Sequence, residues 1–114
     1  MEIDIRTLEN LKLLKIKGRI TLGAGVDRLR ETLEDMLVDG SNRWLLDLAD
    51  VAMIDSSGIG LLVRYLTTAK QQGGALKLLN PTKFAQQSLK MIGLLNLFEI
   101  FDDQQKAVDS FNSQ

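Results

Sequence analysis

The sequence predicts a single α/β domain in which a mixed, mostly parallel sheet of about five strands packs against about four helices. Three observations support this fold class. Short apolar segments alternate along the chain with segments of helical periodicity. Glycine, or an asparagine–proline pair, stands at most of the boundaries between them. The 114 residues, 45% apolar and 25% charged, have the length and composition of one folded domain.

The first half of the chain is predicted to form two strands, a helix and a third strand. Residues 2–8 and 11–17 alternate partly between apolar and polar side chains, which is typical of paired strands, and Gly18 is expected to end the second strand. Helical spacing of apolar residues follows over residues 26–40. The apolar run 44–48 then predicts a strand buried on both faces, as in a parallel sheet.

A second helix and a fourth strand are predicted next. Residues 49–55 are expected to form a short link, after which apolar residues recur at helical spacing from a start near Ser57. Gly73-Gly74 is expected to end this helix. The apolar run 75–79 predicts the following strand.

Asn80-Pro81 has the residues of a helix start. An Asn side chain can accept a hydrogen bond from a free amide, and Pro at the first helical position has no amide hydrogen to lose. Ala85, Leu89 and Ile92 are expected to form the apolar stripe of this helix, and Phe84 and Met91 to widen it on one flank. Gly93 ends it, and a short strand near residues 98–101 and a closing helix complete the pattern.

This order of elements predicts parallel strands joined by right-handed crossovers. In such sheets, functional loops gather beyond the carboxyl ends of the strands. Three segments meet that description: residues 21–25, 54–58 and 80–82.

The chain contains no cysteine and no histidine. Zinc sites, thiol nucleophiles, imidazole bases and heme ligation all need one of these residues. Oxygen-ligand metals need clustered carboxylates, and the acidic residues show only ordinary surface spacing. We therefore expect no catalytic residue, no metal and no cofactor.

The charges exclude further classes of partner. Fourteen basic and fifteen acidic residues give a net charge of −1, and no basic stripe suggests nucleic acid. No apolar run approaches the ~20 residues needed to cross a membrane, and the first residues lack the pattern of a signal peptide. We expect no direct membrane insertion and a cytoplasmic location.

The run Asp55-Ser56-Ser57-Gly58 lies where a strand-end loop passes into a helix. Backbone amides point outward at such a position, and the helix dipole favours negative charge there. A phosphate on Ser56 would be accommodated. The alternative is that Ser56 or Ser57 is only a helix cap and that Gly58 only eases the turn.

The longer context favours the phosphate. Residues 46–62, LDLADVAMIDSSGIGLL, closely resemble the signature of STAS-domain anti-sigma-factor antagonists. The family's Gly-Gly before the next strand is matched by Gly73-Gly74, and its Met-x-Gly-Leu by residues 91–94. The resemblance covers nearly the whole chain, so residues 1–114 are interpreted as one STAS domain.

The resemblance implies a partner switch. In that family, the serine directly after the Asp is phosphorylated by an anti-sigma factor that is also a serine kinase and brings its own ATP and magnesium. That serine is Ser56 here. The unphosphorylated antagonist binds the kinase and frees a sigma factor, the phosphorylated form is released, and a phosphatase resets it. The chain itself would not be an enzyme.

The neighbours of Ser56 are assigned separate roles. Ser57 is expected to cap the helix. Asp55 either orients Ser56 or contacts the kinase, or it simply bonds to loop amides. Gly58 and Gly60 are expected to allow the partner backbone to approach, although helix entry alone would account for Gly58.

The outer side of the second helix is a further candidate for partner binding. Leu61, Arg64 and Tyr65 recur there at helical spacing, and such a mixture of apolar and cationic side chains is typical of protein interfaces. The alternative is that Leu61 and Tyr65 complete the core. The predicted partner-binding residues are Thr21, Ile59, Gly60, Leu61, Arg64, Tyr65, Asn80 and Thr82.

The sequence departs from the family pattern at one position. After the second strand the family usually has Gly-x-Leu/Ile-Asp, whereas this chain has Gly18-Arg19-Ile20-Thr21. Thr21 therefore replaces a carboxylate near the predicted interface, which leaves the identity of the partner open.

Three other functions are weighed against the switch. A STAS domain can also serve as a constitutive subunit of a signalling scaffold or transport assembly. A small hydrolase with Ser56 or Ser57 as nucleophile is the second alternative, but the chain has no His base, and neither serine stands in a Ser-x-x-Lys arrangement or a Gly-x-Ser-x-Gly elbow. Gly23-Ala24-Gly25 suggests dinucleotide binding, but Arg28 stands where the pattern requires its last Gly.

Overall fold

A computed structural model describes residues 1–112 and confirms the predicted fold class. The strands are β1 (Glu2–Leu8), β2 (Leu11–Ile20), β3 (Arg43–Ile54), β4 (Ala75–Leu79) and β5 (Ile100–Phe101). The helices are α1 (Ala24–Val38), α2 (Ser56–Gln71), α3 (Lys83–Ile92) and α4 (Gln104–Asn112), with a 3₁₀ turn at Leu95–Leu97. The strands form one sheet in the order β1-β2-β3-β4-β5, in which only the β1–β2 pair is antiparallel.

The core has two parts because helices cover both faces of the sheet. Helices α1, α2 and α3 pack on one face around Trp44, whose ring meets the ring of Tyr65 edge-on at 6.3 Å between centroids. On the other face, α4 contributes Ala107, Val108 and Phe111 to a smaller apolar cluster. The sheet is therefore anchored from both sides.

Lys77 on β4 is almost completely buried beneath α4. Its ammonium group donates to the Ser110 hydroxyl at 3.0 Å and to the Ser110 carbonyl at 3.2 Å, and it pairs with Glu99 at 3.3 Å. It also lies 4.6 Å from the centroid of the Phe111 ring. These contacts compensate for the removal of a charge from water.

Two strands are longer than the sequence predicts. Strand β2 continues past Gly18 to Ile20, and β3 continues through the expected link 49–55 as far as Ile54. The two extensions pair with each other, Ile20 opposite Ile54, across a bulge next to Gly18, which has a φ of 118°. Both predictions were wrong because pairing in the sheet, and not local pattern, determines where these strands end.

The end of β3 projects beyond its other neighbour. The last pair between β3 and β4 is Asp47 with Leu79, so residues 48–54 continue past β4 for roughly 20 Å at about 3.3 Å per residue. Helix α3 packs against β3. The loop that leads into α2 is thus carried at the tip of a two-strand extension.

The start of α3 also differs from the prediction. Helix α3 begins at Lys83, and its cap is Thr82, whose side chain accepts a hydrogen bond from the Ala85 amide at 3.1 Å. Asn80 has a left-handed backbone with φ of 51°, and its amide donates to the Phe101 carbonyl at 2.8 Å. Because Asn80 is held by β5 in this way, it cannot cap α3, and Pro81 precedes the helix.

Candidate functional site

The carboxylate of Asp55 joins two of the three predicted loops. One oxygen accepts a hydrogen bond from the amide of Gly58 in the first turn of α2, and the other accepts from the amide of Leu22 in the β2–α1 loop, each at 2.9 Å. The backbone amide of Asp55 also donates to the Ile20 carbonyl at 3.3 Å. Of the three roles considered for Asp55, bonding to loop amides is the one observed.

These hydrogen bonds have an electrostatic consequence. The amides of Leu22 and, to a lesser degree, Gly58 stabilise the charged carboxylate and hold the pKa of Asp55 below its ordinary value. Partial burial opposes this effect but does not cancel it. Asp55 is thus a fixed negative charge that holds the β2–α1 loop against the start of α2.

Ser56 is the first residue of α2 and is exposed to solvent. Its hydroxyl makes no hydrogen bond to any residue among 1–112. The N-terminus of a helix attracts anions, through its free amides and its dipole, by about 0.3–1 kcal/mol. An unoccupied hydroxyl at this position can accept a phosphoryl group without breaking a contact within the fold.

The helix cap is not the residue that the sequence predicts. Helix α2 was expected to start near Ser57 with Ser57 as its cap, but it starts at Ser56 and is capped by Asp55. The reason is that Asp55 has an extended backbone, with φ of −97° and ψ of −177°, from which its carboxylate reaches the Gly58 amide. Ser57 is half-buried inside the first turn.

The two glycines of α2 have different surroundings. A Cβ atom on Gly58 would overlap the Ile20 carbonyl oxygen and would lie 2.9 Å from Cγ1 of Ile54. Gly58 is therefore required for the packing of α2 against β2 and β3, which is the helix-entry role. Gly60 is exposed, and a Cβ there would meet nothing within 4 Å. Approach of a partner to Gly60 stays a prediction.

Only some of the predicted partner-binding residues of α2 lie on its exposed face. Ser56, Gly60 and Arg64 are all exposed and recur every fourth residue, so they share one face of the helix. Leu61 and Tyr65 are only 7% and 1% exposed. They belong to the core, which is the alternative interpretation, and their placement on the outer side was wrong.

Tyr65 is buried because α1 packs beside α2. Its hydroxyl donates to Glu34 of α1 at 2.6 Å, and burial together with that carboxylate raises the pKa of Tyr65 to about 12. Ile59 is also buried, at 2% exposure. The buried side chains of Ile59, Leu61 and Tyr65 are thus removed from any contact surface of this conformation.

The remaining predicted contact residues, Thr21, Asn80 and Thr82, do not all lie beside Asp55. Thr21 is half-buried in the β2–α1 loop, next to Leu22 and therefore close to Asp55. Thr82 uses its hydroxyl to cap α3. Asn80 lines a different surface cavity together with Phe101 and Asp102, on the β5 side of β4. The cavity that Asn80 lines therefore includes none of the residues 54–58 around Ser56.

Sequence reasoning missed an apolar surface beside Asp55. Phe84 and Met91, predicted to widen the core stripe of α3, are 79% and 78% exposed, and Met53 is half exposed. A cavity of about 330 Å³ opens between β3 and α3, lined by Ala52, Met53, Ile54, Asp55, Phe84 and Ser88. The helical spacing in the sequence could have revealed this surface, because it places Phe84 and Met91 to one side of the stripe that Ala85 and Leu89 define.

Within residues 1–112, no group of three or more His, Cys, Asp or Glu side chains could hold a metal ion. No helix in the same range is long and apolar enough to cross a membrane. The site therefore consists of one free hydroxyl, one fixed carboxylate, a helix N-terminus and an adjoining apolar surface.

The chain is similar to known proteins over nearly its whole length. The family model for the STAS domain matches residues 2–107. The anti-sigma-B factor antagonist of Bacillus subtilis is 29% identical over 107 residues, which cover 94% of each chain.

Solved structures share the fold. The anti-sigma factor antagonist SpoIIAA in its unphosphorylated form superposes with a TM-score of 0.83 at 16% identity, over 99% of this chain and 98% of that one. The phosphorylated form of SpoIIAA from Bacillus gives 0.75 at 17% identity, over 96% and 98%. An anti-sigma factor antagonist from Mycobacterium paratuberculosis gives 0.84 at 14% identity, over 97% and 93%.

Proposed function

Since this chain belongs to the STAS domain family, we propose that it is an anti-sigma-factor antagonist that changes partners when Ser56 is phosphorylated. The observation that carries the proposal is the exposed hydroxyl of Ser56 at the N-terminus of α2, directly after the fixed carboxylate of Asp55. The similarity to the anti-sigma-B factor antagonist of Bacillus subtilis supports the antagonist role.

The partner of the unphosphorylated chain is an anti-sigma factor with serine kinase activity. Its active site binds ATP and magnesium, so this chain needs no cofactor of its own. The Ser56 hydroxyl oxygen bonds to the γ-phosphorus, the bond to ADP breaks, and the hydroxyl proton passes to a base of the kinase. The chain is a substrate and binding protein, not an enzyme, and it acts in the cytoplasm.

Release follows from the charge of the phosphate. Phosphoserine carries about −1.5 to −2 charges at neutral pH, next to the ionised Asp55 and facing a nucleotide site that is itself negative. A loss of about 2.8 kcal/mol in binding free energy weakens the complex a hundredfold. Release of the kinase lets it bind a sigma factor, and a phosphatase that acts on phosphorylated Ser56 restores the first complex.

A kinase assay with matched serine variants tests the proposal. The wild-type chain, Ser56→Ala and Ser57→Ala are each incubated with ATP, magnesium and the anti-sigma-factor kinases of the source organism. We expect one phosphate on the wild type and on Ser57→Ala, mapped to Ser56 by mass spectrometry, and none on Ser56→Ala. Phosphorylation of a residue other than Ser56, or no phosphorylation by any of the kinases, contradicts the proposal.

A further inference from the structure

The exposed apolar residues of α3 form a strip that the fold does not use. Phe84, Ser88 and Met91 are spaced so that they lie along one side of the helix, while Ala85 and Leu89 are buried on another. Met53 of β3 borders the same strip across the cavity that Phe84 and Ser88 line. We call the surface formed by Met53, Phe84, Ser88 and Met91 the α3 strip.

The α3 strip has the composition of a binding surface. An exposed phenyl ring beside two methionines offers a large apolar contact that can adapt its shape, and aromatic residues and Met are enriched at protein interfaces. The adjoining cavity of about 330 Å³ lies at the lower end of the range for ligand pockets, roughly 300–1,000 Å³. It is large enough for a side chain of a partner protein.

The charges beside the strip indicate what kind of segment it binds. Helix α3 carries Lys83 and Lys90 and no acidic residue, although the whole chain has a net charge of −1. Both lysines are exposed, and neither forms an ion pair with a residue that the structure describes. Lys83 also occupies the first turn, where the helix dipole disfavours a cation. The two lysines line a second cavity of α3, whereas Asp55 lines the cavity next to Phe84, so a complementary segment would place apolar side chains on the strip and acidic neighbours on the lysine side.

The position of the strip connects it with Ser56. Asp55, which directly precedes Ser56, lines the same cavity as Met53 and Phe84. A protein that reaches the Ser56 hydroxyl therefore comes within range of the α3 strip.

Two other occupants fit less well. In a two-fold symmetric dimer the same patch faces itself, so Lys83 and Lys90 would oppose the same cations of the second copy. A lipid surface would have to cover the cavity wall that contains the Asp55 carboxylate, and removing a charge from water is costly.

From these contacts we infer that the α3 strip is a docking site for an apolar, acid-flanked segment of the kinase, separate from the part of the kinase that transfers phosphate to Ser56. This inference rests on the proposed function. Docking there would raise the local concentration of Ser56 at the active site without taking part in the transfer. Affinity for the kinase and the rate of transfer would then depend on different residues.

Steady-state phosphorylation of the full chain tests the inference. The kinase is the one that phosphorylates wild-type Ser56, and the variants are Phe84→Ser, the pair Met53→Ser and Met91→Ser, and the pair Lys83→Glu and Lys90→Glu. We expect KM for the chain to rise about tenfold for Phe84→Ser and for the charge reversal, with kcat within about twofold of wild type. The effect of the charge reversal should shrink as salt is raised.

Val38→Ser is the matched control. Val38 is 87% exposed and ends α1, about 22 Å along the helix from the loop that Asp55 holds. Like Phe84→Ser, this variant removes an exposed apolar side chain, but at the opposite end of the molecule. Its KM should therefore stay at the wild-type value. Thermal unfolding followed by the fluorescence of Trp44 checks that every variant is folded.

The possible failures are distinguishable. If Ser56 is phosphorylated and Phe84→Ser leaves KM unchanged, the docking inference is overturned and the proposed function stands. If no kinase phosphorylates Ser56, both are overturned. Two further results, each with an unchanged KM, would also overturn the inference. If the wild type sediments as a dimer and Phe84→Ser dissociates it, the strip binds a second copy. If the wild type binds phosphatidylserine vesicles and Phe84→Ser abolishes that binding, the strip binds lipid.

Discussion

The Asp55 carboxylate accepts a hydrogen bond from the amide of Leu22, 33 positions earlier in the chain, at 2.9 Å. Its other oxygen caps α2 through the Gly58 amide. One side chain therefore both starts the helix that carries Ser56 and holds the β2–α1 loop beside it. The conformation around Ser56 therefore depends on that carboxylate.

Replacing Asp55 by Ala should lower the free energy of unfolding by about 1–3 kcal/mol. The variant loses the cap of α2 and leaves two amides without their acceptor. Urea unfolding followed by Trp44 fluorescence measures the loss. Ser57→Ala, in which no cap is removed, should lie within about 0.5 kcal/mol of wild type. Equal losses in the two variants would contradict the assignment of the cap.

The contribution of Asp55 should disappear in acid. Its pKa is lower in the folded than in the unfolded chain, so the unfolded chain takes up its proton first, near pH 3.9, as the pH falls. The stabilisation is complete above that pH and is lost as the pH falls through the lower folded value. The difference in unfolding free energy between wild type and Asp55→Asn should therefore be constant from pH 7 to about 5 and shrink below pH 4. A difference that is independent of pH would contradict the prediction.

Gly58 and Gly60 should respond to alanine with opposite signs. Gly58→Ala forces a methyl group onto the Ile20 carbonyl and should destabilise the chain by about 1–3 kcal/mol, as overpacking does. Gly60→Ala has open space and a helical backbone, so it should stabilise the chain by about 0.5–1 kcal/mol. Thermal or urea unfolding of the pair measures both effects.

Measuring the affinity of the Gly58→Ala and Gly60→Ala variants for the kinase distinguishes an effect on partner binding from an effect on stability. If a partner backbone approaches Gly60, Gly60→Ala should weaken binding while it raises stability. Unchanged affinity would remove Gly60 from the predicted contacts.

Tyr65 should make stability fall at alkaline pH. Its pKa is raised to about 12 by burial and by Glu34, whereas the unfolded chain releases that proton near pH 10. The unfolded state therefore binds fewer protons above pH 10, and stability declines between about pH 10 and 12. Tyr65→Phe should be less stable than wild type at pH 8, because the hydrogen bond to Glu34 is missing. The difference should narrow as the pH rises above 10.

Ser56→Asp should distinguish a switch from a constitutive subunit. Aspartate places a negative charge at the N-terminus of α2, which the helix tolerates, so folding should be unaffected. If the protein is a switch, Ser56→Asp should raise the Kd for the purified kinase at least tenfold, as measured by calorimetry, whereas Ser56→Ala should bind the kinase as tightly as the wild type. A scaffold or transport subunit would keep its partner in both variants, and that result would contradict the switch.

The order of elements could be predicted from the sequence because it depends on local patterns. Apolar periodicity identifies α1 and α2, and glycine marks their ends. The extended ends of β2 and β3 could not be predicted in the same way. Arg19 and Met53, which pair with each other there, are exposed, so neither segment shows the apolar run of a buried strand. Only their mutual pairing makes them strands.

The position of Ser56 could be predicted from the motif, but its local geometry could not. Asp55, Ser56 and Ser57 are all good capping residues, and the contact with Leu22, which is distant in sequence, favours Asp55. The assignment of Leu61 and Tyr65 to the surface failed for a related reason. Helical spacing defines one apolar stripe, but α1 covers a second side of α2 through Glu34 and Tyr65, so more of the helix is buried than a single stripe implies.

The projection of β3 beyond β4 has a consequence for how such proteins diverge. Residues 48–54 pair only with β2 and place the loop that leads into α2 at the tip of this extension, while Leu48, Val51 and Ile54 stay buried in the core that contains Trp44. Substitutions at exposed positions there, such as Met53, cost little folding free energy. The exposed surface at this tip can therefore change by substitution while the buried side chains of the same strand keep the core packed, so that one scaffold can present different surfaces.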